Sequence, residues 1–237
     1  MPTWLLIFVA VIFIGLVLYW QLIVAEGAYL GAPLVALLYD WTAEKYNAIK
    51  EFNPRSEANR IGEPLANRLH HQAQALVLDV ATGTGRIPLA LFAQPDFQGQ
   101  VIGLDRASKM LKVAVRDTAT LRQRPLFIQA DAMALPFANN SFAAVTCLEA
   151  LEFFPNPEEG MAELIRVLAP SSTAHPRYGW LLTSNRIGWE AKAMPGKTWS
   201  RAKLEAILHR FPLRYVDIQV WQSIYDLVWA QKVEDRQ

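Results

Sequence analysis

The chain has 237 residues, of which 52% are hydrophobic and 19% are charged, and its formal net charge is +1. This length allows one globular domain of ordinary size together with an additional segment. The near-neutral charge gives no electrostatic basis for binding nucleic acid, and the single cysteine, Cys147, excludes an internal disulfide framework. The histidines show no metal-ligand spacing, so we predict no metal site.

The first predicted element is a membrane anchor, assigned to residues 1–31. The run Trp4–Ala25 contains no charged residue, and about 20 apolar residues in a helix are enough to cross a bilayer. Trp4 at one end and Tyr19-Trp20 near the other resemble interfacial aromatic anchors. A cleaved signal peptide fits less well, because no basic residue precedes this long apolar run. Lysines and arginines occur only after it, which favours a single-pass protein with a cytoplasmic C-terminal domain.

The next predicted segment, residues 32–74, is largely helical. The helical pattern runs from Glu26 to Phe52, with an early interruption at Gly31 and Pro33 and an apolar stripe at helical spacing, and Asn53-Pro54 breaks it. A polar and partly helical stretch, Arg60–Gln74, then leads to the first strand.

Residues 75–237 alternate regularly between strand and helix patterns. Because strands that alternate with helices pair in parallel, we predict an α/β domain with a doubly wound, mostly parallel seven-stranded sheet. A pair of strands after the last helix is expected to add an antiparallel edge. The predicted strands are Ala75–Val80, Gln100–Asp105, Leu126–Ala130, Phe142–Leu148, Gly179–Ser184, Tyr215–Trp221 and Tyr225–Gln231. The predicted helices are Arg86–Gln94, Ser108–Arg122, Glu158–Leu168 and Ser200–Phe211.

The turn after the first predicted strand has the features of a site for a nucleotide-like ligand. The strand ends near Asp79, a loop of small residues from Ala81 to Gly85 follows, and the pattern then becomes helical. Glycine lacks a Cβ and tolerates positive φ, so ligand and backbone can approach closely there. In a parallel sheet this loop lies at the carboxyl edge, where such ligands bind.

Three carboxylates end or follow successive predicted strands, namely Asp79, Asp105 and Asp131. The carboxyl ends of parallel strands lie along the same edge of a sheet, so these side chains are expected to converge on one crevice. A carboxylate after the second strand is well placed to accept hydrogen bonds from both ribose hydroxyls. We therefore predict a ribose-binding role for Asp105.

The loop sequence distinguishes between cofactors. A dinucleotide fingerprint needs a third small residue for close packing around the pyrophosphate, and Pro88 follows the loop here instead. A carboxylate at Asp79 would repel a pyrophosphate but would attract a ligand that carries an amine and a sulfonium. The P-loop pattern is also absent here, because no Gly-Lys-Ser/Thr follows this loop. These features favour S-adenosylmethionine, and a nicotinamide-dependent oxidoreductase is the weaker alternative.

Five motifs, in order along the chain, resemble those of class I S-adenosylmethionine-dependent methyltransferases. Asp79-x-Ala81-x-Gly83-x-Gly85 resembles motif I, with Ala81 where the first glycine often stands. Leu38-Tyr39-Asp40-Trp41 with Tyr46-Asn47 resembles the opening of the ubiquinone/menaquinone-biosynthesis subgroup. Ala143 departs from the pattern, which usually has an aspartate there, and the loop after Pro170 is longer than usual. The remaining motifs are Ile102–Leu111, Asp131–Phe137 with Ser141-Phe142, and Glu163–Pro170.

The resemblance implies a role for each matching residue. It also implies that residues 32–74 cover the cofactor and that residues 75–237 are the methyltransferase domain. As alternatives, Asp131 could cap a turn and Met133 could pack in the core. The implied contacts are Asp79, Ala81, Thr82, Gly83, Thr84 and Gly85 at the methionine moiety; Asp105 at the ribose with Arg106 beside it; Asp131, Ala132 and Met133 at the adenine; and Tyr46 over the cofactor.

Glu149 and Glu152, just past the fourth predicted strand, are the candidate catalytic residues. Methyl transfer from a sulfonium is an in-line displacement, so alignment can supply much of the acceleration. An acceptor oxygen or carbon acid would also need a base. For Glu149, a simple hydrogen bond to backbone or cofactor is an equally good interpretation.

The acceptor is expected to be a small lipophilic molecule, such as a quinone precursor or a lipid, because the anchor holds the domain at a membrane. Trp180, Trp189 and Trp199 flank the segment after the fifth predicted strand, where they could form an apolar lid or belong to the core. A second hypothesis is a membrane-tethered module that binds S-adenosylmethionine without catalysis.

Overall fold

The computed structural model describes residues 2–70, 75–172 and 178–234. Seven strands form one sheet: β1 (Leu76–Val80), β2 (Gln100–Asp105), β3 (Leu126–Gln129), β4 (Ala144–Cys147), β5 (Trp180–Arg186), β6 (Leu213–Gln222) and β7 (Tyr225–Lys232). Their order is β3-β2-β1-β4-β5-β7-β6. Strands β1 to β5 pair in parallel, and β7 is antiparallel to both β5 and β6. The predicted doubly wound sheet with an antiparallel edge is therefore confirmed.

Ten α-helical segments occur in the described residues. They are α1 (Thr3–Tyr19), α2 (Ala32–Thr42), α3 (Tyr46–Ile49), α4 (Pro54–Glu57), α5 (Glu63–Arg68), α6 (Arg86–Phe92), α7 (Ser108–Asp117), α8 (Pro157–Val167), α9 (Gly188–Lys192) and α10 (Arg201–Leu208). A π-helical stretch, Ala58–Gly62, joins α4 to α5, and Asn53 caps α4 by accepting from the amides of Arg55 and Ser56. Helix α7 ends at Asp117, before the predicted Arg122, and α9 was not predicted.

The sheet has a hydrophobic core on each face because alternate strand residues point to opposite sides. Leu78, Leu181 and Val228 belong to the core that α8 and α10 cover. Their chain neighbours Val77 and Leu182 belong to the other core, which α5 and α6 cover. With both faces of the sheet buried, its free carboxyl edge is the place left for a ligand.

The N-terminal helix is long and apolar enough to cross a membrane. Helix α1 continues as a π-helical turn, Trp20–Val24, and together they form a 22-residue apolar helix. Only 6% of its most hydrophobic 18-residue stretch is buried. The next helix begins at Ala32, not at the predicted Glu26. Gly27 and Gly31 adopt positive φ in the intervening turns, and Pro33 lies in the first turn of α2.

Side-chain contacts fix the end of this apolar helix to the sheet domain. The indole nitrogen of Trp20 donates to the carbonyl oxygen of Ala193 at 2.9 Å, and the Tyr29 hydroxyl donates to that of Pro195 at 2.8 Å. The Glu26 carboxylate accepts from Arg186 at 2.7 Å, at the end of β5. The helix and the sheet domain therefore have a defined relative orientation.

Candidate functional site

A cavity lies at the carboxyl edge of the sheet, beneath α2. It is lined by nine of the residues that the sequence predicted for the site: Tyr46, Ala81, Gly83, Asp105, Arg106, Asp131, Ala132, Met133 and Glu149. An adjoining smaller cavity is lined by Asp79, Thr82 and Thr84. The structure thus brings these parts of the chain together at one edge, as the strand order requires.

Asp79 is a buried carboxylate held by two hydroxyl groups. Its Oδ2 accepts from the Thr82 hydroxyl and its Oδ1 accepts from the Thr146 hydroxyl, both at 2.6 Å. Burial raises the pKa of Asp79 to about 7, against the smaller opposing effect of the two hydrogen bonds. The site therefore contains a carboxylate whose ionised form a nearby cation would stabilise.

Asp105 fixes the glycine loop to the start of α7. Its Oδ2 accepts from the amide of Gly83 and its Oδ1 accepts from the amide of Ala107, both at 2.8 Å. Burial raises the pKa of Asp105 above its ordinary value, although these amide hydrogen bonds oppose the shift. Each carboxylate oxygen can accept a further hydrogen bond, and the residue lines the cavity.

Asp131 caps a turn and also lines the cavity, so both interpretations of its role fit its position. Its Oδ1 accepts from the amide of Met133 at 3.0 Å, and its Oδ2 accepts from Arg106 at 3.0 Å. Met133 is only partly buried and packs against the core from the cavity side. The pair Arg106 and Asp131 is about half exposed at the rim.

In the loop after β1, Ala81 and Gly85 both have positive φ, but for different structural reasons. Ala81 has φ of +56°, a left-handed conformation that costs an alanine about 1 kcal/mol relative to glycine. Gly85 has φ of +83°, and a Cβ there would lie 3.2 Å from the Cβ of Ala114 in α7. Gly85 thus serves close packing of the loop on α7, while Ala81 and Gly83 face the cavity.

The segment 32–74 closes the cavity from the N-terminal side, as far as its described residues show. Tyr46 lines both cavities, and burial raises the pKa of its hydroxyl. The Tyr39 ring contacts the Tyr46 ring at a centroid distance of 5.8 Å. The role implied for Tyr46, a cover over the cofactor, is a proposal that this position supports.

Two polar residues that attach segment 32–74 to the sheet domain were given no role from the sequence. Asp40 accepts from the backbone amide of Lys109 at 2.7 Å in the first turn of α7. Asn47 accepts from the Thr84 hydroxyl at 2.6 Å, next to the glycine loop. Both stand in the motif Leu38–Asn47, which was the available signal for them.

Glu149 lies at the junction of the cavities and is held by an arginine. Its Oε1 accepts from Arg86 at 2.6 Å and from Gln222 at 3.2 Å. Its other oxygen, Oε2, has Lys50 at 3.9 Å. Arg86 also forms two hydrogen bonds with Glu57, so it joins segment 32–74 to the end of β4. The sequence offered no signal for Arg86, since its partners are distant along the chain.

Glu152 is placed differently from Glu149. Its side chain is 2% exposed, and its Oε1 accepts from Arg186 at 3.0 Å and from the Tyr225 hydroxyl at 2.6 Å. It is not among the residues that line the cavity beneath α2. The buried network around Arg186, which also includes Glu26 and Glu190, ties β5 to the N-terminal segment.

The three tryptophans considered as a lid do not line the cavity beneath α2, and that hypothesis is wrong. Trp199 is buried in the core, and the ring of Trp180 stacks with Arg68 at 4.9 Å. Trp189 is 65% exposed on α9. Apolar walls of the cavity come instead from Val35, Phe153 and Phe154.

The fold and this strand-edge site define a Rossmann-like methyltransferase domain. Residues 77–171 match the family model described as a methyltransferase domain. This match confirms the resemblance that the five motifs predicted.

Curated relatives share the central part of the chain. The sequence is 32% identical over 163 residues to a demethylmenaquinone methyltransferase of Desulfitobacterium hafniense, covering 63% of each chain. It is 39% identical over 99 residues to a demethylmenaquinone methyltransferase of Thermus thermophilus, covering 42% of this chain and 44% of that one. The chain thus spans less than two thirds of the length of these relatives.

Solved structures share the fold. An S-adenosylmethionine-dependent methyltransferase from Aquifex aeolicus is similar with a TM-score of 0.53 and 19% identity, covering 77% of this chain and 100% of that chain. Magnesium protoporphyrin IX methyltransferase from Synechocystis, solved with its bound cofactor, gives a TM-score of 0.54 and 19% identity, covering 76% and 80%.

Proposed function

We propose that this protein binds S-adenosylmethionine in the strand-edge cavity and transfers its methyl group to a small lipophilic acceptor at a membrane. The observation that carries the proposal is a pair of buried carboxylates beside a glycine loop. Asp79 and Asp105 accept from hydroxyls and amides and form no ion pair within the described residues. A ligand that brings its own positive charge fits this uncompensated arrangement.

The cavity residues fit the parts of this cofactor. Asp105 can accept from the ribose hydroxyls, and Ala132 and Met133 provide an apolar surface for the adenine. Asp79 and the loop residue Gly83 would meet the methionine end, where the amine and the sulfonium are positively charged. The family match over residues 77–171 supports the same cofactor.

The apolar walls support a lipophilic acceptor. Val35, Tyr39, Phe153 and Phe154 line the same cavity as the acidic residues, so an apolar ring could lie beside the sulfonium. The relatives named as demethylmenaquinone methyltransferases support a quinone precursor as the acceptor class. We further propose that α1 crosses the membrane once and that the catalytic domain is cytoplasmic.

The bound cofactor would supply an electrophilic methyl group to the acceptor and would keep the electron pair of the broken carbon–sulfur bond. The acceptor then loses a proton. Glu149 is the better placed of the two candidate bases, because it lines the cavity and its Oε2 does not take part in the hydrogen bonds with Arg86 and Gln222. Glu149→Gln should lower the turnover number while leaving cofactor affinity nearly unchanged.

Titration calorimetry and a methyl-transfer assay test the proposal. The full-length protein in detergent should bind S-adenosylmethionine, and labelled cofactor should transfer its methyl group to a component of a membrane lipid extract. Failure to bind at millimolar cofactor would refute the proposal. Binding without transfer would support the non-catalytic module, and binding of a nicotinamide dinucleotide in the same titration would favour an oxidoreductase.

A further inference from the structure

Helix α2 has two apolar faces with different surroundings. Its inner face lines the cavity through Ala32, Val35 and Tyr39. Its outer face carries Leu34, Leu37 and Trp41, which are 49%, 44% and 70% exposed. The spacing of these three residues places them in one stripe along the helix.

The outer face carries no charge. Asp40 is the one charged residue in the sequence of α2, and its carboxylate accepts from the amide of Lys109 at 2.7 Å. Leu30, in the turn just before the helix, is also apolar and 36% exposed. An exposed apolar stripe of this kind is unusual on a surface that only meets water.

The stripe follows closely along the chain after the apolar helix α1, whose last turns are also exposed. Leu22 and Ile23, at the end of that helix, are 46% and 62% exposed, and seven residues of turn separate Val24 from α2. The hydrogen bonds of Trp20 and Tyr29 hold this region against the loop after α9. Trp189, in α9 itself, is 65% exposed. Exposed tryptophans are typical of the boundary between lipid and water.

We propose that the outer face of α2 lies in the interfacial layer of the bilayer, so that the helix separates lipid from the methyl-transfer cavity. This inference rests on the proposed function in one respect, namely that α1 spans the membrane. The acceptor then enters from the bilayer beside a single helix, without crossing water. A protein partner or a second copy of the chain would cover the same stripe, but neither would explain why it lies only seven residues after the end of the apolar helix.

Site-specific labelling of the full-length protein tests the position of α2. An environment-sensitive fluorophore is attached to Leu37→Cys in a Cys147→Ala background, and the protein is reconstituted into phosphatidylcholine vesicles. We expect a nitroxide carried by the lipid to quench this label and iodide in the water to quench it weakly. Val115→Cys on α7 is the matched control, because Val115 is 54% exposed and apolar; iodide should quench it and the lipid nitroxide should not.

A third label separates the inference from the proposed membrane span. Phe13→Cys in α1 should be quenched by a nitroxide placed deep in the acyl chains; if it is not, the span is refuted and the inference with it. If Phe13→Cys is quenched while Leu37→Cys is open to iodide, the inference alone is overturned. A Leu37→Cys label protected from both quenchers would also overturn it, because a protein would then cover the stripe.

The functional consequence concerns delivery of the acceptor. Leu37→Asn should lower the rate of methylation several-fold for the acceptor-containing lipid extract in vesicles. The same variant should match the unmodified protein in S-adenosylmethionine affinity and in the rate with detergent-dispersed extract. Val115→Asn should change neither rate. Equal losses for vesicle and detergent substrates would contradict the proposed route from the bilayer.

Discussion

The carboxylates at the ends of β1 and β2 and those just beyond β4 have opposite surroundings. Asp79 and Asp105 accept hydrogen bonds from hydroxyls and amides, and no arginine or lysine forms an ion pair with them in the described residues. Glu149 and Glu152 accept from Arg86 and Arg186. The first region leaves negative charge for a ligand to neutralise, whereas the second neutralises its charge within the protein.

All four residues are acidic and are buried or nearly so. The difference in their surroundings nevertheless distinguishes two carboxylates that are available to a ligand from two that connect parts of the protein. The arginines that pair with Glu149 and Glu152 connect the N-terminal segment to the sheet domain, because Arg86 also binds Glu57 and Arg186 also binds Glu26. Substitution of either arginine should therefore change stability first. Substitutions at the ends of β1 and β2 should change cofactor affinity first.

The largest expected effect is from Arg186→Ala. Removing one partner of a buried ion pair leaves Glu152 without its counter-charge, which costs about 3–5 kcal/mol of unfolding free energy. Denaturant unfolding of the full-length protein in detergent measures this loss. Arg116→Ala is the matched control, because Arg116 and its partner Glu44 are 57% and 74% exposed, and its effect on the unfolding free energy should be far smaller.

Should Arg186→Ala fail to fold, the double variant Arg186→Met with Glu152→Gln provides the measurement. Both buried charges are then absent, so we expect it to recover most of the stability. A loss of cofactor affinity in this folded double variant, with stability unchanged, would break the distinction between the two regions.

The second prediction concerns Asp79→Asn. In the folded protein the pKa of Asp79 is raised to about 7, above the value of the unfolded chain, so the folded state binds more protons between these two pKa values. Stability therefore falls as the pH rises from about 4 through 7 and is constant above that. Asp79→Asn removes this loss and should stabilise the ligand-free protein at pH 8, by at most about 4 kcal/mol, since one pKa unit corresponds to about 1.4 kcal/mol.

The same substitution should weaken cofactor binding. Because a cationic ligand favours the ionised carboxylate, the affinity of the unmodified protein should rise with pH through about 7, and the affinity of Asp79→Asn should not. Calorimetric titrations at several pH values, together with thermal unfolding, check both parts. A variant that is less stable at pH 8 than the unmodified protein would place Asp79 among the structural carboxylates.

The third prediction concerns Asp105→Asn, which should lower the affinity for S-adenosylmethionine roughly tenfold to hundredfold. A hydrogen bond to a charged group contributes about 1.5–3 kcal/mol, and each 1.4 kcal/mol is a factor of ten in affinity. Calorimetry measures the effect, and Glu44→Gln, a charge removed from an exposed position, serves as the control. An unchanged affinity would refute the ribose assignment.

The sequence predicted the sheet and the residues that meet at its carboxyl edge, because both depend on local patterns. Each strand ends within a few residues of its predicted boundary, and the parallel order brings Asp79, Asp105 and Asp131 to one edge without further information. The glycine loop is likewise a local signal, since its positive φ values restrict the residues that fit.

The parts that could not be predicted depend on contacts between distant segments. Arg186 pairs with Glu26, 160 positions away, and no sequence spacing reveals that pairing. The lid hypothesis for the tryptophans was wrong for the same reason, because apolar composition does not show whether Trp199 faces the core or a cavity. Helix α2 starts at Ala32 instead of Glu26 because the chain turns at Gly27 and Gly31. The sequence pattern indicated the interruption at Gly31 and Pro33 but not the turn at Gly27.

The smallest predicted effect refines the comparison at Ala81, where the motif usually has glycine. Ala81 has φ of +56°, so Ala81→Gly removes the steric cost of a left-handed alanine and should stabilise the protein by about 1 kcal/mol or less, offset in part by the greater freedom of glycine in the unfolded chain. Ala162→Gly, at an exposed position within α8, is the matched control and should cost about 1 kcal/mol. Chemical denaturation of both variants measures the two changes in unfolding free energy, which should have opposite signs. If Ala81→Gly raises stability but weakens cofactor binding, the strained alanine preorganises the loop for its ligand; if both variants destabilise equally, the loop at the end of β1 carries no strain to release.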